Sequence, residues 1–279
     1  MIEYKLEQLI SALEEEKILL KNNKIDDTAI ISDSVELGEN VEIGPYTIIE
    51  EEVEIGDNTK IGANCHIQGW TKIGEDNNID NYVTIGFPPQ NIGYDGSKTY
   101  VIIGDNNQIG EYVTIHRGTT EGRGETKIGD DNTFKVYSHV AHDCNLGNNI
   151  TLENYVNLAG HVTIYNDAYL EKMVGVHQFV KIGNLSRIEA HSKLIKDVPP
   201  YIIVNGHPAQ VVGINEVGLN EQNIDPDVRD EIRKSYHILY ESNLNISQAI
   251  DKLEKVSKNF KEVKDFISFL KNSNRGICR

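Results

Sequence analysis

Residues 35–64 read VELGEN VEIGPY TIIEEE VEIGDN TKIGAN, and the third place of every six is aliphatic: Leu37, Ile43, Ile49, Ile55 and Ile61. Ile31 precedes the run, and Ile67, Ile73, Ile79 and Ile85 extend it. The phase returns at Ile103, Ile109 and Ile115, then again from Ile128 through Phe134 and Val140 to Leu194, with no polar residue at that place. In each unit the first and third residues share one face of a short strand, while Gly, Asn and Asp supply the bend to the next. Three units make one triangular coil of eighteen residues, and stacked coils place parallel strands ~4.8 Å apart around one aliphatic ladder. A β-sandwich would show turns every 8 to 12 residues or so and no constant phase. The pattern predicts a mainly β chain built as a parallel β-helix.

Two Gly- and Pro-containing excursions interrupt the coils, GFPPQNIGYDGSKTY at 86–100 and HRGTTEGRGET at 116–126. Loops of this length on a rigid solenoid cover a site or reach a neighbour. After Val198-Pro199-Pro200 the period changes: PDVRDEIRKSYHILYES, NISQAIDKLEKVSKNF and KEVKDFISFLKN carry apolar residues at helical spacing. Residues 3–22 also look helical, with Leu6, Leu9, Ile10 and Leu13 on one face, a segment expected to cap the first coil or meet another subunit. The expected organisation is an N-terminal helical extension over 1–24, the β-helix over 25–198 and a C-terminal helical domain over 199–279.

The net charge is −16. Residues 195–279 hold 12 basic and 12 acidic side chains, so the excess lies in residues 1–194, with 15 bases against 31 acids. General binding to nucleic acid or anionic lipid is therefore not expected, since phosphate-binding surfaces are basic. No apolar run is long enough to span a membrane, and the first residues lack the pattern of a signal peptide. Cys65, Cys144 and Cys278 are odd in number and far apart, which fits a reducing compartment; a cytoplasmic protein is expected.

An eighteen-residue coil also says what lies over what. Gly160 falls one coil after His142 and Gln178 two; His139 falls over Asn157, and Asp143 over His161. His139, His142, His161, His177 and Gln178 thus gather in one small region. A neutral imidazole is a ready proton acceptor, and a neighbouring carboxylate holds its tautomer. Gly160 leaves its N–H unshielded. The expected chemistry is acyl transfer: His142 deprotonates an acceptor that attacks a thioester carbonyl, and the Gly160 N–H stabilises the oxyanion. Solvated corner histidines and a shared metal site, as in a metal-dependent hydratase, are the competing readings, as is a non-catalytic trimeric scaffold; Asp143 and Gln178 occupy the places where a third metal ligand would be wanted, and no metal or cofactor is expected.

TIHRGTTEGRGETKIG, HVAHDCNLGN, NLAGHV, VHQF, DVPPY and the terminal RGICR together resemble the acyl-carrier-protein-dependent UDP-N-acetylglucosamine O-acyltransferases that open lipid A biosynthesis, over residues 25–279. The resemblance implies a left-handed coil, against the usual right-handed crossover rule, and a homotrimer with sites between subunits. It implies His142 as general base, Asp143 as its neighbour, Gly160 as oxyanion donor, and Gln90, His139, His161, His177, Gln178 and Asn215 as substrate-binding residues. The implied donor is an acyl-carrier-protein thioester, with a coenzyme A thioester as the alternative, and the implied acceptor is a nucleotide sugar. Lys252, Lys255, Lys258, Lys261 and Lys264 form a basic surface that an acidic carrier could use. The chain departs from the family pattern at Gly93, where a lysine is usual, and at Val217, Glu221 and Gln222, where a glutamate and two arginines are. Glu171, Lys172, Arg187 and Glu189, near VHQF in the sequence, together with Ala190, suggest a short or hydroxylated acyl group.

Overall fold

The computed structural model describes residues 22–257 and 260–279. The helical expectation for 3–22 lies outside the described residues except at residue 22. Strands of two to four residues alternate with bends from Lys24–Ile25 to Lys193–Leu194, forming three parallel sheets that are the faces of a left-handed triangular prism. Pairing steps by eighteen along one face: Lys24↔Glu42, Glu42↔Lys60 and Lys60↔Asn78. Across the two excursions the step widens, Asn78↔Gln108 and Gln108↔Thr133, yet the strand register resumes unchanged.

The aliphatic ladder fills the prism. Ile49, Ile67, Ile73, Ile79, Ile85, Ile109 and Phe134 are each no more than 1% exposed. Burying each such side chain contributes about 1.5–3 kcal/mol. A second, polar column shares the interior: the side-chain oxygen of Asn77 accepts from both the backbone and side-chain amides of Asn107, and Asn107 in turn accepts from the Asn132 N–H. Fully buried amides persist here because every level satisfies the next. Cys65, Cys144 and Cys278 are buried free thiols.

From Asn40 onward most corners carry a left-handed residue. Asn40, Asn58 and Asp76 take that role along one edge, as their short polar side chains allow. A second edge uses Tyr82, Tyr112, Tyr137 and Tyr155, at φ 59–62°, a costly conformation for a bulky residue. Their rings stack at 5.0, 4.8 and 5.0 Å between centroids, which offsets part of that cost.

The segment expected to open a helical domain at 199 opens instead with an antiparallel hairpin, Ile202–Gly206 and Ala209–Ile214, that continues one face of the prism. Its alternating Val and Ile residues around a Gly-His-Pro bend favour strands. Helices Glu216–Glu221, Pro226–Tyr236, Ile246–Val256 and Lys261–Lys271 follow, with Leu219, Ile232, Leu253 and Phe266 buried between them. The chain end returns to the last coil, where Cys278 N–H donates to the Asp197 carbonyl.

Candidate active site

One face of the prism, including strands Thr114–His116, His139–Val140, Asn157–Leu158, Gly175–Val176 and Lys193–Leu194, carries a cleft of about 640 Å³. Gln90, His139, His142, Gly160, His177 and Gln178 all line it. Gln90 arrives from the first excursion, which is tied across the sheet by a contact between His116 Nδ1 and the Pro88 carbonyl at 2.7 Å.

The corner residue Asp143 is wholly buried, and its Oδ2 lies 2.8 Å from His142 Nδ1. Burial pushes its carboxyl up, but hydrogen bonds from His142, the Thr119 hydroxyl and N–H, and the Arg123 N–H outweigh it and hold the group at about 2. An ionised carboxylate only accepts, so His142 carries its proton on Nδ1 and presents Nε2 as the basic nitrogen. The His142 side chain is 14% exposed, enough to meet a substrate from the cleft.

Gly160 stands one coil away. A β-carbon there would lie 2.6 Å from His142 Cε1 and 2.7 Å from Nε2, so only glycine lets the imidazole and this backbone approach. Its carbonyl accepts from Phe179 N–H, while its own N–H makes no hydrogen bond among the described residues. A free amide beside a basic nitrogen is the geometry an oxyanion requires.

His161 does not line the cleft. Its ring stacks on Phe179 at 4.3 Å, meets the His142 ring edge-on at 5.1 Å, and brings Nε2 to 3.8 Å from Asp143 Oδ2. Burial lowers its basicity, with Asp143 opposing. His139 Nδ1 pairs with the Thr114 hydroxyl at 2.7 Å; burial first, then His116 and His142, lower its pKa to about 4, so it enters the cleft neutral.

Asn215 is placed elsewhere. It is buried, its carbonyl oxygen caps helix Glu216–Glu221 by accepting from Gly218 N–H at 3.0 Å, and its amide donates to the Leu185 carbonyl at 2.8 Å. Both ends of the side chain are spent inside the chain, and it is absent from the cleft lining. The charged strip near VHQF is also displaced: Arg187 pairs with Glu171 at 2.6 Å and Glu189 accepts from Asn205, on the face that carries strands Tyr169–Leu170 and Arg187–Ile188. Arg187 and Glu171 neutralise one another on that face, and none of the strip's four charged residues lines the cleft. Met173, His191, Lys193 and His207 line the cleft instead. Met173 and His191 follow Tyr155 at eighteen-residue steps, a signal open to the same column arithmetic that found His142. Gln222, at a family arginine position, reaches Asp167 at 3.4 Å.

His142, Asp143 and His161 each bring a potential ligand atom within 4.8 Å of the others. Both Asp143 oxygens, however, already accept N–H or O–H donors. A cation there would have to displace them; the set is that of a hydrogen-bonded acid–base pair.

Residues 197–278 match the family model described as UDP-N-acetylglucosamine O-acyltransferase, domain 2, and residues 52–86 match the bacterial transferase hexapeptide model. The chain is 43% identical over 261 residues to an acyl-[acyl-carrier-protein]–UDP-N-acetylglucosamine O-acyltransferase of Paraburkholderia xenovorans, covering 92% of this chain and 100% of that one. It is 46% identical to the protein of the same name from Alkalilimnicola ehrlichii, covering 92% and 99%. Among solved structures it resembles the Francisella novicida UDP-N-acetylglucosamine acyltransferase, with a TM-score of 0.89, 36% identity, and 91% and 94% of the two chains covered. The Bacteroides fragilis UDP-N-acetylglucosamine acyltransferase gives 0.89 and 38%, covering 91% and 99%.

Proposed function

This chain belongs to the UDP-N-acetylglucosamine O-acyltransferase family, and from that premise we propose that it moves an acyl group from an acyl-carrier-protein thioester to the 3-hydroxyl of UDP-N-acetylglucosamine, the opening step of lipid A synthesis, in the cytoplasm. The observation that carries the proposal is the column of His142 and Gly160, with His142 Nδ1 held on buried Asp143 and the imidazole packed against Gly160, whose N–H makes no hydrogen bond among the described residues.

His142 Nε2 takes the hydroxyl proton as the sugar oxygen bonds to the thioester carbon. The carbonyl oxygen gains the negative charge and accepts the Gly160 N–H. Collapse of the tetrahedral intermediate breaks the C–S bond, and the imidazolium returns its proton to the leaving thiolate. The base contributes ~10²–10⁴-fold and the oxyanion donor about 3 kcal/mol. Gln90, His139, His177 and Gln178 line the acceptor's path, and His161 backs His142 and Asp143 from behind.

A homotrimer fits this cleft. Lys193 is the only Lys or Arg lining it among the described residues, too little positive charge for a diphosphate, so a neighbouring subunit supplies the rest. Lys252, Lys255, Lys261 and Lys264 are the proposed carrier-docking surface; Lys258 lies outside the described residues. The names of the relatives favour the carrier protein over coenzyme A as donor. Among the described residues no helix is long and apolar enough to cross a membrane.

The test is incubation of the purified protein with acyl-carrier-protein and coenzyme A thioesters of several lengths plus a panel of UDP sugars, read by mass spectrometry. Acylated UDP-N-acetylglucosamine is the expected product; modification of another acceptor only, or of none, overturns the proposal.

A further inference from the structure

Asp143 is held far more firmly than orienting one imidazole requires, and apart from His142 every donor comes from the second excursion. The Thr119 hydroxyl donates to Oδ2 at 2.7 Å, the Thr119 N–H approaches both oxygens at 3.1 Å, and the Arg123 N–H donates to Oδ1 at 2.8 Å. The excursion is shaped to this carboxylate. Gly122 and Gly124 N–H both donate to the Thr119 carbonyl, closing the loop on itself, and a β-carbon at Gly122 would lie 2.4 Å from Asp143 Cγ. The Arg123 guanidinium ties the loop's far side to the Thr163 hydroxyl at 3.2 Å. Thr119 is buried, 3% exposed, and does not line the cleft.

We infer that Thr119 is a positioning residue for the transfer step: its hydroxyl and the His142 Nδ1–H share one oxygen of Asp143, so Thr119 sets how much of the carboxylate's charge reaches the base and fixes the plane in which the base lies. The inference rests on the assignment of His142 as base. A carboxylate oxygen bonded by two donors polarises each less than if it had one. Removing the hydroxyl leaves the two backbone N–H donors in place, so the carboxylate stays, but Oδ2 turns more of its charge on His142 and loses one of the contacts that fix its angle.

The experiment compares the native enzyme with Thr119→Val, which keeps the volume and loses the donor, and Thr119→Ser, which keeps the donor. The first readout is the low-field proton resonance of the His142 Nδ1–H, assigned by its loss in His142→Gln and recorded without substrates. In Thr119→Val it moves further downfield, and in Thr119→Ser it stays at the native position. The second readout is kinetic: Thr119→Val lowers kcat roughly 10-fold with KM unchanged, the result of a misaimed base, and Thr119→Ser restores it. A native resonance and native kcat in Thr119→Val, or failure of the serine to restore either, overturns the inference. Should Thr119→Val not fold, Thr119→Ala supplies the same comparison. A native enzyme that acylates no UDP sugar would end the functional proposal above, while the resonance still decides whether Thr119 governs the His142–Asp143 bond.

Discussion

Gly160 and His142 approach so closely that a single methyl group on the glycine would fall within 2.7 Å of the imidazole's Nε2. Since the obstructing atoms belong to a side chain, Gly160→Ala should fold and displace the ring. The expected result is a fall in kcat/KM of roughly 10²-fold or more, with a stability loss of about 1–3 kcal/mol from overpacking. Steady-state kinetics beside thermal melts check this; a fully active alanine variant would show that the ring and the amide need not meet.

His142→Ala removes the base and leaves the prism core untouched, because the side chain lies outside the aliphatic ladder. Activity should fall by roughly 10²-fold or more, with melting temperature and oligomeric mass, read by light scattering, close to native.

His139 provides a pH test. Its folded pKa of about 4 lies below its ordinary value, so between about pH 6.5 and pH 4 the unfolded chain binds a proton that the folded chain does not. Stability contributed at this position is therefore constant above about pH 6.5 and falls as pH drops through the window. His139→Gln lacks that proton, and denaturant titrations at pH 7 and pH 4.5 should show a smaller loss on acidification than native by about 1–3 kcal/mol. Parallel curves for the two proteins would contradict a buried, neutral His139.

The tyrosine edge separates two opposing energies. Tyr137 stacks on Tyr112 and Tyr155 while holding a left-handed backbone. Tyr137→Ala loses both stacks and keeps the backbone cost, for an expected destabilisation of about 1–3 kcal/mol. Tyr137→Asn loses the stacks but relieves the backbone, so it should be the milder of the two. Chemical denaturation of the pair checks the order.

The ladder and the histidine column were legible because both follow from one number. Eighteen residues per coil fix which side chain lies over which, and the aliphatic third positions announce that number without ambiguity. What escaped follows no period. The loop from 117 to 124 turns back onto its own corner, and nothing in its composition says that Thr119 and Arg123 will meet Asp143. His116 could have been found, since Thr114 pairs with His139 once the excursion is discounted. Asn215 was named by resemblance alone, and its burial as the cap of helix Glu216–Glu221 could not be read from that match. Glu171 and Arg187 were misplaced through closeness in sequence to VHQF: six residues carry the chain around an edge to a different face.

Because the aliphatic ladder closes up beneath the first excursion, as Asn78↔Gln108 shows, the scaffold is indifferent to how much polypeptide leaves and re-enters between Ile85 and Val101. The second excursion has no such freedom, since Thr119 and Arg123 hold the Asp143 carboxylate. Lineages can lengthen, shorten or exchange the outer segment that brings Gln90 to the cleft without re-solving the arrangement of the groups that react, but not the loop that grips the acid.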